Sequence, residues 1–82
     1  MNSISVAQCR GARAMLGWSQ AELAAAAAVS KTTVVDFERG TRTPHRNNLA
    51  AIHRALELAG IEFIPENGGG AGVRFARPTT NT

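Results

Sequence analysis

Thr32, Val35, Asp36 and Arg39 fall on one face of a helix that Lys31 opens at its N-terminal end, and their side chains can read the edge of a base pair. In a major groove, lysine donates to guanine O6 and N7. The methyl groups of threonine and valine touch the thymine methyl, and aspartate accepts from cytosine N4. At about 100° per residue, Val34, Phe37 and Glu38 point the other way, towards a core. The loop that follows carries Arg42 and Arg46, cations suited to phosphate, with His45 between them. On a lone helix such a set is only a solvated face, so its meaning depends on the elements that hold it.

Those elements can be traced from their caps. Ser19-Gln20-Ala21-Glu22 is a Ser-x-x-Glu capping box and starts a helix over Gln20–Ala27. Ser30 caps the reading helix, Lys31–Arg39, and Gly40 stops it. Only two or three residues around Ala28 and Val29 join the two helices, which is the spacing of a helix-turn-helix. Upstream, Ser5 caps a helix over Val6–Leu16 that ends at Gly17, with Val6, Cys9, Ala12 and Leu16 as its apolar stripe. Arg13 lies on that same stripe. A charge there needs a partner, and Glu38, inward on the reading helix, is the candidate for a structural ion pair. Cys9 reads as a small core residue, and Trp18 packs beneath the second helix from the position before its cap. A fourth helix spans Arg46–Ala59 on Leu49, Ile52 and Leu56, stopped by Gly60, with His53 on its surface.

The remainder changes character. Ile61–Ile64 and Val73–Phe75 read as short strands around a turn-forming stretch, Pro65 to Gly70. An isolated two-stranded hairpin is marginal in water. Ile61, Phe63, Ile64, Val73 and Phe75 therefore need a covering surface, either the fourth helix or a second chain. The expectation is dimerisation, with these strands pairing across a two-fold axis. The chain thus divides into a DNA-binding domain (1–60), a β-strand dimerisation extension (61–75) and a disordered tail (76–82).

Composition narrows the function. Lys and Arg number nine against six Asp and Glu, a formal net charge of +3, and eight of the nine cations are arginine. Arginine's planar fork of donors suits phosphate and guanine. The single cysteine allows no internal disulfide, which fits a reducing cytoplasm. His45 and His53 lack the cysteine or acidic neighbours of a metal site. No apolar run approaches the roughly 20 residues of a membrane span. No paired carboxylates, activated nucleophile or phosphate loop points to an enzyme, since Gly68-Gly69-Gly70 precedes no helix. Neither a cofactor, a metal nor a small-molecule ligand is expected.

The segment from about Val6 to Ala59 resembles the lambda-repressor/Cro type of helix-turn-helix, the xenobiotic-response-element (XRE) family. The residues that carry the resemblance are Arg13, Trp18-Ser19-Gln20-Ala21-Glu22-Leu23-Ala24, Val29-Ser30, Val34, Phe37-Glu38-Arg39-Gly40 and Thr43-Pro44. It implies a mainly α chain: a compact four-helix lambda-repressor-like domain with a short C-terminal β-hairpin or strand pair. It implies base contacts from Lys31, Thr32, Val35 and Asp36, and phosphate contacts from Gln20, Ser30, Arg39, Arg42 and Arg46. Gln20 is further expected to brace a base-facing residue. The implied function is a sequence-specific transcriptional regulator, a homodimer on double-stranded DNA with an inverted-repeat operator. Two rivals share the fold: an antitoxin that also blocks a toxin, and an antiactivator that binds a protein instead of DNA. The sequence departs from the family at Ala28, where glycine is usual. An alanine in the left-handed region costs about 1–2 kcal/mol.

Overall fold

The first three helices each begin where a side chain can satisfy a free N–H group and end where the chain turns left-handed. The structure, a computed structural model, describes residues 4–77. Helix α1 (Val6–Leu16) opens on Ser5, whose Oγ accepts from Gln8 N (3.0 Å) while Gln8 Oε1 accepts from Ser5 N (2.9 Å). This is a second capping box, Ser-x-x-Gln. Helix α2 (Gln20–Ala27) opens on the Ser19–Glu22 box, at 3.0 and 2.7 Å. Helix α3 (Lys31–Arg39) opens on Ser30, which accepts from Thr33 N at 3.1 Å. Gly17 and Gly40 close α1 and α3 at φ 69° and 77°. Helix α4 runs Arg46–Leu58, one residue shorter than expected, because Ala59 takes the cap position before Gly60 turns the chain at φ 106°.

The turn between α2 and α3 is made by Ala28, at φ 57° and ψ 41°, the sole non-glycine residue with positive φ among those described. Val29 N donates to Ala24 O (3.0 Å) and Ala28 N to Ala25 O (3.2 Å), the paired bonds that close a helix on a left-handed residue. Alanine's Cβ opposes that conformation by about 1–2 kcal/mol. Glycine would remove this strain but lose about 0.4–1 kcal/mol through its freer unfolded chain. Ala28→Gly is therefore expected to stabilise the protein by about 1 kcal/mol, a rise in Tm of about 4–8 °C for a domain this size. A melting temperature that stays put or falls would show the alanine turn to be relaxed.

The helices enclose one core in which Cys9, Leu23, Val34, Ile52, Leu56 and Ile61 are fully buried. Ala24 and Ala27 supply thin surface on α2, which packs on both α3 and α4. Trp18 is half-buried against the same core. Ile4, ahead of α1 and outside any periodic stripe, is also buried. None of the helices described is long and apolar enough to cross a membrane.

Strands β1 (Ile61–Ile64) and β2 (Gly72–Phe75) pair with each other, antiparallel, in the register Ile61↔Phe75, Glu62↔Arg74, Phe63↔Val73, Ile64↔Gly72. Alternation therefore puts Ile61, Phe63, Val73 and Phe75 on one face and the Glu62–Arg74 ion pair (3.1 Å) on the other. The apolar face lies on the chain's own α1 and α4. Val73 Cγ2 is 3.4 Å from where a Cβ on Gly11 would stand, and Phe63 meets the edge of His53 at a centroid distance of 4.6 Å. Gln8 pins the far end, its Nε2 donating to Gly72 O (3.0 Å) and Ile64 O (3.4 Å).

This arrangement corrects three expectations. The covering surface the strands need comes from their own chain, and Ile61, 2% exposed, belongs to that core rather than to a dimer contact. Phe63, Ile64 and Val73 are half-buried, and Phe75 stays 38% exposed. His53 is not a surface residue but a shelf for the hairpin, its Nε2 3.3 Å from Glu57 Oε2. The expected tail begins later than residue 76, since Ala76 N donates to Gly60 O at 2.8 Å. From residue 78 onward the tail falls outside the described residues.

Candidate nucleic-acid interface

The inner side of α3 decides what its outer side can present. Val34, Phe37 and Glu38 are buried, Lys31, Thr32 and Arg39 are exposed, and Val35 and Asp36 are half-exposed between them. Seven residues of the sequence-derived base and phosphate sets thus lie on or beside one open surface: Lys31, Thr32, Val35, Asp36, Arg39, Arg42 and Arg46. A hollow of about 460 Å³ lies between α3, the loop and the start of α4, lined by Thr32 and Asp36 from α3, Arg42 and His45 from the loop, and Asn48 from α4. The loop is held against α3 by Thr41, whose N and Oγ1 both donate to Asp36 O (3.2 and 3.3 Å).

Asn48 carries no signal in the sequence, because one polar residue on a helix is ordinary until the fold sets it beside α3. One turn into α4, its carboxamide can both donate and accept. His45, the N-cap of α4, makes no side-chain capping bond, so its ring remains free of that task.

Behind the open face lies a polar network that fixes the pose of α3. Arg13 binds Glu38 with two bonds, Nε to Oε2 at 2.8 Å and Nη2 to Oε1 at 2.7 Å, and its Nη1 donates to Trp18 O at 2.8 Å. Glu38 also accepts from Gln20 Nε2 (3.1 Å) and Cys9 Sγ (3.3 Å). One carboxylate thus ties α3 to α1, α2 and the turn between them. Burial works to raise the Glu38 carboxyl, but the bonds from Arg13, Gln20 and Cys9 outweigh it and hold it below the usual carboxylate range. The Cys9 thiol is pushed up to about 12, first by burial and then by its bond to Glu38, so it stays a neutral donor.

One expected role changes. Gln20 braces Glu38, not a base-facing residue, and one of its amide N–H groups is engaged there. The Ser30 hydroxyl caps α3, accepting from Thr33 N at 3.1 Å, and lies 2.8 Å from Thr33 Oγ1. The four cations around the open face, Lys31, Arg39, Arg42 and Arg46, make no ion pair among the described residues. Solvated cations without carboxylate partners remain available to an anion.

The comparisons agree with this geometry. A family model described as helix-turn-helix matches residues 10–63. Among solved structures, the DNA-binding domain of the P22 C2 repressor, residues 1–76, is similar, at 31% identity and a TM-score of 0.58 over 70% of this chain and 76% of that one. No curated protein matches. The two capped helices, the tight turn at Ala28 and the match across residues 10–63 make this chain a member of the XRE-type helix-turn-helix family, built on the lambda-repressor-like fold.

Proposed function

We propose that this protein is a sequence-specific DNA-binding transcriptional regulator that works in the cytoplasm as a homodimer on an inverted-repeat operator, and that it is not an enzyme. The observation that carries the reading is the open face of α3, with polar and methyl-bearing side chains at its centre and, around it, four cations that make no ion pair among the described residues. A similar repressor domain is itself described as DNA-binding, which supports the same reading. In this reading Lys31, Thr32, Val35 and Asp36 meet base edges. Arg39, Arg42 and Arg46 hold phosphates, joined by the free amide N–H of Gln20 and by Ser30. Two such heads on a symmetric dimer would lie about one DNA turn apart, roughly 34 Å.

The test separates readers from holders. Selection of bound sequences from random DNA yields the operator, and variants are then compared across a library of its single-base changes. Thr32→Ala and Asp36→Ala are expected to alter the preferred base at one or two positions per half-site, a mismatched base pair costing about 1–3 kcal/mol. Arg42→Ala is expected to weaken every site alike. Uniform loss from all three variants would remove the assignment of α3 as the reading head.

A further inference from the structure

The hairpin is a two-stranded sheet, so each strand keeps one edge without a neighbour. The register decides which backbone groups face outward. Ala76 N donates to Gly60 O, and Ile61 pairs with Phe75 one step further in. Bonded and non-bonded pairs alternate along an antiparallel ladder. Glu62 and Arg74 therefore spend their N–H and C=O groups on each other, while Val73 and Phe75 turn theirs outward from β2. Neither residue makes a backbone bond across that edge among the described residues. The edge lies on the α1 side, where Val73 meets Gly11. Phe75 remains 38% exposed there. Three exposed cations surround it: Arg74 in the strand, Arg77 just after it, and Arg10 beside Gly11 on α1. Arg74 gives two N–H groups to Glu62, at 3.1 Å each, and keeps three.

We propose that the β2 edge binds an extended acidic segment of another protein, which joins the hairpin as a third strand. Strand addition takes its affinity from main-chain bonds and its specificity from alternate side chains. Val73 and Phe75 supply the main-chain bonds. Incoming side chains opposite these two turn towards α1, so they are apolar and cover Phe75. The residue between them lies opposite Arg74 on the outer face, and an opposite charge is favoured there. The segment thus reads apolar, acidic, apolar, and Arg10 and Arg77 extend the preference for negative charge.

Other occupants fit less well. The two-fold pairing in which Val73 and Phe75 of two copies exchange bonds sets each Arg74 against its own symmetry mate, and like charges directly opposite are unfavourable. The chain's own ends outside the described range, 1–3 and 78–82, contain no acidic residue. The edge shares no residue with the open face of α3, so the inference does not rest on the regulator reading.

Fluorescence anisotropy of the full chain with short, end-blocked, labelled peptides tests it. One peptide alternates valine with glutamate and the other valine with lysine. The glutamate peptide is expected to bind saturably in the millimolar range or below, and the lysine peptide about fivefold more weakly or worse. Hydrogen exchange locates the site. In the free chain the Val73 and Phe75 amides should exchange faster than those of Glu62 and Arg74, and the glutamate peptide should slow them. The swap of Glu62→Arg with Arg74→Glu keeps the cross-strand pair and should abolish the preference for glutamate, while operator binding stays as in the wild type. No saturable binding, Val73 and Phe75 amides already slow in the free chain, or protection confined to α3 would each overturn the proposal. A swap variant that still prefers glutamate would do the same, and one that loses the operator would make the edge part of the DNA surface instead. A wild type that shows this peptide pattern but binds no DNA would support the edge while overturning the regulator reading.

Discussion

Arg13→Ala is expected to cost about 3–5 kcal/mol, the usual penalty for orphaning a buried charge. The loss falls unequally on the two partners. The Glu38 side chain is 4% exposed, so without Arg13 it remains a carboxylate in the core with only Gln20 and Cys9 to hold it. The Arg13 side chain is 20% exposed and keeps its bond to Trp18 O, so it tolerates Glu38→Ala better. Thermal melts should therefore rank Arg13→Ala as the least stable of the set, with the Arg13→Ala/Glu38→Ala double variant more stable than Arg13→Ala alone. The effect is large against a total stability of about 5–15 kcal/mol.

Acid should act in opposite senses on the wild type and on Arg13→Ala. In the wild type the folded Glu38 carboxyl is held below its ordinary value. Its contribution is present above the unfolded value and is lost as pH falls through the folded one. In Arg13→Ala the strongest of those bonds is gone and burial is left to raise the carboxyl. Folding then favours the protonated form, so the gap between variant and wild type should be widest near neutrality and narrow on acidification. Strictly additive losses in the cycle, or a gap independent of pH, would mean that the pair does not interact in solution.

DNA affinity should fall steeply with salt. Arg39, Arg42 and Arg46 offer about three charged phosphate contacts per protomer, each contributing about −0.9 to the slope of log K against log salt, while neutral Gln20 and Ser30 hold phosphate without adding to the slope. For a dimer the loss between 50 and 200 mM salt would be about a thousandfold. Anisotropy titrations on the selected operator measure it. Arg42→Ala and Arg46→Ala should each reduce the slope by about one per protomer, while Asp36→Ala should leave it unchanged. A flat response to salt would instead favour an interaction protein on the same fold.

What was legible in the sequence was whatever is decided within a few residues. Caps and glycines act locally, so α1, α2 and α3 stand where Ser5, Ser19, Ser30, Gly17 and Gly40 place them, and Ala28 takes the left-handed turn that its position demands. Inward and outward faces also follow from helical periodicity, and so Arg13 and Glu38 could be matched across 25 residues by their shared misfit on apolar stripes. The tertiary structure decided the rest. Gln8 is a polar residue in a cap, yet its amide bridges both strands 56 and 64 residues away. His53 and Asn48 acquire their roles only from what packs or opens beside them. The apolar strand residues announced a need for burial, but burial is non-directional, and any covering surface of the right shape would meet it. Only the fold shows that α1 and α4 of the same chain meet it.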